Sequence, residues 1–216
     1  MAARALSRRA VLGHCSAWLW LACGAPAAAA AAQTILVLGD SLSAEYGLAR
    51  GSGWVALLER RLAQQKIAAQ VVNASISGDT TSGGRSRLPA LLRQHRPDVV
   101  VIELGANDAL RGLPLAMTKA NLLEMTRAAK VAGAKVVLVG MQVPPNYGKA
   151  YGDEFARLFA EVARSEGVAR VPFLLAGVAD AADAPNLFQA DRIHPTQAAH
   201  PRMLDNVWAV LGPLLH

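Results

Sequence analysis

The sequence predicts an α/β fold in which a parallel sheet of five strands lies between two layers of helices. Short apolar runs rich in β-branched residues alternate with segments of helical periodicity about five times along the chain. The apolar runs contain few alternating polar residues, which is typical of strands buried on both faces. Right-handed crossovers between such strands favour a flavodoxin-like three-layer α/β/α sandwich.

The first strand has the clearest pattern, because four aliphatic residues begin at Ile35 and Gly39 ends the run. The other strands are predicted at 69–72, 98–104, 134–139 and 168–173, the last being the weakest pattern. Helices are predicted at 54–62, 85–95, 117–131, 155–164 and 196–215. Ser52 is the expected N-cap of the first helix, and Pro201 is expected near the start of the last one. Residues 174–190 have no clear pattern.

Residues 1–32 have the composition of a cleaved secretory signal. Three arginines precede a short apolar stretch, and small residues, mostly alanine, follow it. The apolar stretch is too short to form a convincing membrane span. We therefore expect cleavage near Ala32, a mature domain of residues 33–216, and a periplasmic or secreted protein. Arg8 and Arg9 also fit a twin-arginine signal, and a lipoprotein anchor at Cys23 is a further alternative.

The composition of the remaining chain excludes several classes of function. Loss of the three signal arginines lowers the net charge from +6 to +3, and no basic run remains that would indicate nucleic-acid binding. Both cysteines, Cys15 and Cys23, lie in the predicted signal, which excludes cysteine catalysis, a disulfide and a thiolate zinc site in the mature chain. We expect a monomer without a stable membrane anchor.

Ser41 is the first candidate nucleophile. It follows a buried strand in the run Gly39-Asp40-Ser41, and open α/β folds place their ligands at the carboxyl ends of strands. A polar turn in which Asp40 or Ser41 caps the next helix explains the same residues. A serine hydroxyl needs a base and an oxyanion site before it can act as a nucleophile. The rest of the sequence must therefore supply both.

His194 is the candidate base. Asp191 precedes it by three residues, and in a turn this spacing lets the carboxylate bind one imidazole nitrogen while the other faces a serine. A loop with an unrelated aspartate and histidine is the alternative. The other histidines outside the predicted signal are expected to face solvent: His95, His200 and His216.

Three backbone or side-chain donors at strand ends could hold an oxyanion. They are the N–H groups of Ser41 and Gly78 and the side-chain amide of Asn107, which follow three different predicted strands. Asn107 could instead cap a turn, and this is the simpler explanation for Asp40 and Asp108.

Together these residues resemble the GDSL/SGNH hydrolases, and among them the bacterial periplasmic thioesterase I/protease I/lysophospholipase group, also called arylesterases. The resemblance covers nearly the whole predicted mature chain. Four motifs carry it, in the family's order and spacing: Gly39-Asp40-Ser41-Leu42-Ser43, Gly78 within residues 73–80, Gly105-Ala106-Asn107-Asp108, and Asp191-x-x-His194-Pro195.

The resemblance implies a serine hydrolase that acts on acyl esters and thioesters. It implies Ser41 as the nucleophile, His194 as the base and Asp191 as the residue that orients the base. It also implies an oxyanion hole formed by Ser41, Gly78 and Asn107, the flavodoxin-like fold, and no metal or organic cofactor.

Two residues depart from the family pattern near these motifs. Glu45 stands where the family often has glycine and adds a charge close to the nucleophile, and Arg192 stands in the Asp-to-His turn where a small residue is common. The loops at Tyr46 and at Pro144–Tyr147 are expected to border an acyl groove.

Three other functions remain open from the sequence. They are a carbohydrate O-deacetylase with the same site, a non-catalytic flavodoxin-like binding protein, and a metal-dependent hydrolase. The last would use Asp40, Asp108 and His194.

Overall fold

The computed structural model of the chain describes residues 1–2 and 32–215. Predictions that fall on residues 3–31, which include most of the export signal and both cysteines, lie outside the described residues, as does His216. The fold described below belongs to the unit Ala31–His216.

Five parallel strands form one sheet in the order β2-β1-β3-β4-β5. Their bounds are β1 Gln33–Gly39, β2 Ala69–Asn73, β3 Val99–Glu103, β4 Lys135–Val139 and β5 Ala169–Val171. The aliphatic residues of β1 and β3 are fully buried, as expected for central strands covered on both faces. Each predicted strand is present, and the weakest sequence pattern corresponds to the shortest strand, β5.

Helices connect the strands and cover the sheet. Their bounds are α1 Trp54–Gln64, α2 Thr81–His95, α3 Ala106–Leu110, α4 Leu115–Val131, α5 Lys149–Glu166, α6 Ala184–Leu187 and α7 His200–Leu211. Short 3₁₀ turns occur at Pro145–Tyr147, Gln197–Ala199 and Gly212–Leu214. None of the helices in the described part of the chain combines the length and the apolar character needed to cross a bilayer.

The helices form two groups. Helix α1 packs against α7, whereas α4 packs against both α2 and α5. The predicted three-layer α/β/α sandwich with a five-stranded parallel sheet is confirmed. Pro201 lies in the first turn of α7, where its missing N–H costs no intrahelical hydrogen bond.

The sheet brings the ends of β1, β2 and β3 to one edge. Gly39 at the end of β1 is in register with Glu103 at the end of β3. On the other side, Val37 of β1 is in register with Asn73, the last residue of β2. Because all three strands are parallel, the segments that follow them leave the sheet at the same edge, where the candidate functional residues lie.

Candidate active site

The chain turns sharply where β1 ends, and this turn carries Ser41. The backbone carbonyl of Asp40 accepts hydrogen bonds from the N–H groups of Ser43 (3.2 Å) and Ala44 (2.9 Å). The Asp40 carboxylate accepts a third from the Leu42 N–H at 3.0 Å. A Cβ at Gly39 would lie 2.8 Å from the Ser43 Cβ and 2.9 Å from Glu103 Oε2, so glycine leaves room for these two side chains. The turn fixes the backbone on both sides of Ser41.

Ser41, His194 and Asp191 form a hydrogen-bonded chain. The Ser41 Oγ lies 2.9 Å from His194 Nε2, and His194 Nδ1 lies 2.7 Å from Asp191 Oδ2. A carboxylate on Nδ1 favours the tautomer that carries its proton there, which leaves Nε2 able to accept a proton from a hydroxyl. The structure therefore brings together the three residues that the sequence predicts to be nucleophile, base and orienting acid.

The Asp191 carboxylate also organises its own turn. Its Oδ1 accepts hydrogen bonds from the N–H groups of Ile193 and His194, both at 3.0 Å. These backbone donors and the His194 ring lower the pKa of Asp191 to about 2, with the His194 N–H as the largest contribution. Arg192 takes the left-handed conformation at φ 58°, which is uncommon for residues other than glycine. The carboxylate stays ionised at neutral pH.

Asn107 and Gly78 reach the same edge of the sheet from the ends of β3 and β2. The Asn107 side-chain amide donates to Asp40 Oδ2 at 3.0 Å, one residue from Ser41. The Gly78 loop is tied to β1 by a hydrogen bond from the Ile76 N–H to the Gly39 carbonyl at 3.0 Å. Gly78 itself has φ +79°, a conformation that glycine adopts without strain. Its carbonyl accepts a hydrogen bond from Arg111 at 2.6 Å.

Two acidic side chains are buried beside the turn that carries Ser41. Asp40 is 1% exposed and Glu103 is fully buried. Burial raises the pKa of Asp40 to about 6 and raises the pKa of Glu103 well above its usual range, the nearby Asp40 charge adding to the effect on Glu103. Glu103 Oε2 accepts hydrogen bonds from the Ser43 hydroxyl at 2.7 Å and the Asp40 N–H at 3.3 Å. The pair therefore retains protons more strongly than exposed carboxyl groups do.

Sequence reasoning did not identify Glu103 as part of this site. The sequence did contain an indication, because Glu103 is the one charged residue in the otherwise apolar β3 sequence Val-Val-Val-Ile-Glu. A carboxylate inside a buried strand needs partners, and the Ser43 hydroxyl is one of them. The Trp54 indole N–H in turn donates to the Ser43 Oγ at 3.2 Å, which links the turn to α1.

Asp108 has a different function from the turn cap expected for it. It is fully buried in α3 and its carboxylate accepts hydrogen bonds from the backbone N–H and the hydroxyl of Thr81, the first residue of α2. Thr118 also donates to it at 3.3 Å. Asp108 therefore joins α3 to the beginnings of α2 and α4 rather than facing His194. Among the described residues no group of three His, Cys, Asp or Glu side chains is arranged to hold a metal ion.

The Glu45 carboxylate binds the loop that precedes α1. It accepts hydrogen bonds from the N–H groups of Gly51 (2.9 Å) and Gly53 (2.7 Å), just before α1. The prediction of Ser52 as the N-cap of α1 is wrong: Gly53 occupies that position, and the Ser52 hydroxyl donates to the Ala49 carbonyl. Glu45 instead supplies an acceptor to the loop that precedes the helix.

The expectation that His200 faces solvent is also wrong. His200 is 2% exposed, and its Nδ1 accepts a hydrogen bond from the Trp54 N–H at 2.9 Å. This contact gives a partner to a backbone donor at the start of α1. Burial lowers the pKa of His200 to about 4, against a smaller opposite effect of Glu45. His95 is half-buried at the end of α2.

The two loops expected to border an acyl groove lie at different places. The Tyr46 ring packs on His194, with ring centres 4.3 Å apart and planes tilted by 35°. The segment from Pro144 to Gly148 lines a cavity of about 340 Å³ together with the start of α5. Of these two loops, the Tyr46 loop is the one that contacts the Ser41–His194 pair in the described part of the chain.

An α/β/α sandwich with a hydroxyl, an imidazole and a carboxylate in hydrogen-bonded sequence at the carboxyl edge of its sheet has the architecture of a serine hydrolase. Residues 37–202, more than half of the chain, match the model of the GDSL-like Lipase/Acylhydrolase family. The chain belongs to this family. The family match confirms the predicted resemblance and the prediction of an enzyme that hydrolyses acyl esters.

Similarity to individual proteins supports this assignment. The chain is 54% identical over 186 residues to Esterase TesA of Pseudomonas aeruginosa, covering 86% of this chain and 91% of that protein. It is 42% identical over 188 residues to Thioesterase 1/protease 1/lysophospholipase L1 of Escherichia coli K12, covering 87% and 88%. A crystal structure of TesA is similar to it with a TM-score of 0.81 and 53% identity, covering 84% of this chain and 99% of that one.

Proposed function

We propose that the chain is an exported serine hydrolase that cleaves acyl esters and thioesters through an acyl-enzyme. The observation that carries the proposal is the pair of contacts Ser41–His194 at 2.9 Å and His194–Asp191 at 2.7 Å. Relatives named esterase and thioesterase/lysophospholipase support the substrate class. The enzyme acts as a monomer on small-molecule substrates and needs no cofactor.

In the first half-reaction the Ser41 Oγ attacks the acyl carbonyl carbon while His194 Nε2 takes the hydroxyl proton. The carbonyl π electrons move to its oxygen, and the oxyanion is bound by the N–H groups of Ser41 and Gly78 and the Asn107 amide. When the tetrahedral intermediate collapses, the bond to the alcohol or thiol breaks and His194 gives its proton to the leaving group. Asp191 stabilises the imidazolium throughout.

In the second half-reaction water replaces Ser41 as the nucleophile. His194 takes a proton from the water as it attacks the acyl-enzyme, and the same donors bind the second oxyanion. Collapse breaks the bond to Ser41 Oγ, which recovers its proton from His194. The carboxylic acid leaves, and the free enzyme is regenerated.

We further propose that residues 1–32 direct the chain out of the cytoplasm and that residues 33–216 form the mature domain without a stable membrane anchor. The sequence composition of residues 1–32 supports this proposal. Sequencing the N-terminus of protein recovered from the periplasmic fraction tests it. An intact N-terminus in a cytoplasmic fraction would contradict it.

The function is tested with ester and matched thioester series of two to sixteen acyl carbons. We expect hydrolysis that peaks at medium or long chains, that is lost in Ser41→Ala, and labelling of Ser41 by a fluorophosphonate. Ser77→Ala is the matched control, because Ser77 is an exposed serine one residue before Gly78. It should retain activity and labelling. Both variants should melt close to the wild-type temperature.

Each other outcome selects a different function. Activity confined to acetyl esters would indicate the carbohydrate O-deacetylase. Absence of both hydrolysis and labelling would indicate the non-catalytic binding protein. Full activity in Ser41→Ala that a chelator removes would indicate metal-dependent hydrolysis.

A further inference from the structure

Gln189 connects two segments that meet at the Ser41–His194 pair. Its side-chain Nε2 donates to the backbone carbonyl of Tyr46 at 2.9 Å and to that of Pro195 at 3.1 Å. Tyr46 belongs to the segment after β1, whereas Pro195 directly follows His194 in the chain. One half-buried amide therefore bonds to the segment after His194 and to Tyr46, which lies 143 residues before Gln189 in the chain.

The backbone of Gln189 is fixed to the turn that carries the candidate base. Its N–H donates to the His194 carbonyl at 2.8 Å, and its carbonyl accepts from the Arg192 N–H at 3.0 Å. The neighbouring Phe188 forms a β-bridge with Pro195. Gln189 is thus held by the same turn whose other contacts orient Asp191 and His194, and only its side chain reaches across to Tyr46.

The Gln189 side chain contacts Tyr46 and can therefore position it. The Tyr46 ring packs on the His194 ring, with centres 4.3 Å apart, although half of Tyr46 is exposed. Its N–H donates to the Ser41 carbonyl at 3.3 Å, a long hydrogen bond. The contact from Gln189 is the shorter of these two hydrogen bonds to the Tyr46 backbone.

Gly47 leaves room for the Gln189 amide. A Cβ at Gly47 would lie 2.2 Å from Gln189 Oε1, a separation that no real side chain adopts. Gly47 also has φ +70°, in the left-handed region that glycine occupies without strain. The absence of a side chain at Gly47 therefore leaves the space that the Gln189 amide occupies.

We propose that Gln189 is a positioning residue that holds the Tyr46 ring against His194, so that Nε2 stays directed at Ser41. This role rests on the proposed function, because it matters only if His194 exchanges protons with Ser41. An imidazole at a partly open site can rotate about its side-chain torsions. A ring packed on one face restrains that rotation, and the Asp191 contact alone restrains only the Nδ1 end.

The test is a double-mutant cycle on a neutral short-chain p-nitrophenyl ester. Gln189→Leu removes the amide and keeps the size, and Tyr46→Ala removes the ring. We expect each to lower kcat about tenfold with KM within about twofold, and the double variant to lose about as much as either single one. Tyr46→Phe should retain kcat, because the ring and not the hydroxyl makes the contact. Gln189→Glu, whose carboxylate cannot donate to two carbonyls at neutral pH, should behave as Gln189→Leu.

The comparison separates positioning from a general structural effect. Losses of kcat that multiply to about a hundredfold in the double variant would overturn the role, since independent defects add in free energy. Wild-type kcat in both Gln189 variants, or a Tyr46→Phe variant as slow as Tyr46→Ala, would also overturn it. Gln189→Glu keeps the cycle available if Gln189→Leu does not fold.

Failure of the proposed function would be distinguishable from failure of the proposed role of Gln189. If Ser41→Ala hydrolysed the ester as fast as the wild type, the serine mechanism would fail, and this role with it. If hydrolysis depended on Ser41 but the losses multiplied, only the role of Gln189 would fail.

Discussion

The side-chain amide of Asn107 donates a 3.0 Å hydrogen bond to the carboxylate of Asp40, the residue immediately before Ser41. The same carboxylate accepts from the Leu42 N–H with its other oxygen. Asp40 therefore fixes both the turn that presents Ser41 and the direction of the Asn107 amide. The expectation that Asp40 caps a turn is correct for Oδ1, which accepts from Leu42. It did not include the contact of Oδ2 with Asn107.

Asn107→Ala should lower kcat by about 10²–10³ with little change in KM, because it removes one donor to the proposed oxyanion. Steady-state kinetics on a medium-chain ester measure this effect. Asn186→Ala provides the control, since Asn186 is an exposed residue of α6. A loss of less than about threefold in Asn107→Ala would argue against the assignment.

Asp40→Asn should reduce kcat to nearly the level of Asn107→Ala without destabilising the fold. Asparagine keeps an acceptor for Leu42 but places an NH₂ group opposite the NH₂ of Asn107, so the Asn107 amide must turn away. Burial raises the pKa of Asp40, so a neutral replacement does not weaken the folded state. Kinetics and urea denaturation of the same preparation separate the two effects. A destabilised variant with wild-type kcat would contradict this account.

Asp191→Asn should lower kcat by roughly 10⁴ while the turn persists. An asparagine Oδ1 still accepts from the Ile193 and His194 N–H groups, but its NH₂ faces Nδ1 and selects the wrong imidazole tautomer. The measurement is kcat together with the rate of Ser41 labelling by a fluorophosphonate. Asp183→Asn serves as the control, because Asp183 is an exposed residue that pairs with Arg202. Equal kinetics in the two variants would refute the role of Asp191.

Because His200 takes up a proton more readily in the unfolded chain than in the folded protein, the protein should become less stable in mild acid. The pKa of His200 is about 4 in the folded state and 6.5 in the unfolded chain, so between these values the unfolded chain binds more protons and stability falls as pH is lowered. Between pH 7 and pH 5 this contributes a loss of about 2 kcal/mol. His200→Gln keeps an acceptor for the Trp54 N–H and should not show this part of the loss. Urea denaturation at the two pH values measures it, and identical losses would exclude His200 as the cause.

Glu103 should make the protein less stable as the pH rises, which is the opposite of the effect of His200. The folded-state pKa of Glu103 is raised above the unfolded value of 4.5, so the folded chain binds more protons and stability falls as pH rises from that value through the raised one. Glu103→Gln should therefore lose less stability between pH 5 and pH 8 than the wild type. The comparison uses thermal melting, with the exposed Glu124→Gln as a variant that keeps the wild-type pH dependence. A steeper fall in Glu103→Gln would contradict the prediction.

The fold was predictable because buried parallel strands have a distinctive sequence. The runs in β1 and β3 are apolar throughout, and their burial on both faces follows from that property. The limits of prediction lie where local pattern is weak. Residues 174–190 include only the four-residue helix α6, and α3 has five residues, too short for helical periodicity to be evident.

Much of the site was also predictable, since Ser41, Gly78 and Asn107 each follow a strand and parallel strands end at one edge. Contacts between distant residues were not. The burial of His200 depends on α7 packing against α1, and the partners of Glu103 come from the turn after β1. The contact from Gln189 to Tyr46 joins two loops and leaves no local pattern in either one.

The hydrogen bond between Ser41 and His194 joins residues 153 positions apart. During translation Ser41 therefore leaves the ribosome long before His194 is synthesised. On the proposed mechanism, a nascent chain cannot attack membrane acyl groups while it is being made. In refolding experiments, recovery of esterase activity should follow recovery of the helical circular dichroism signal, because activity requires the two ends of the domain to meet.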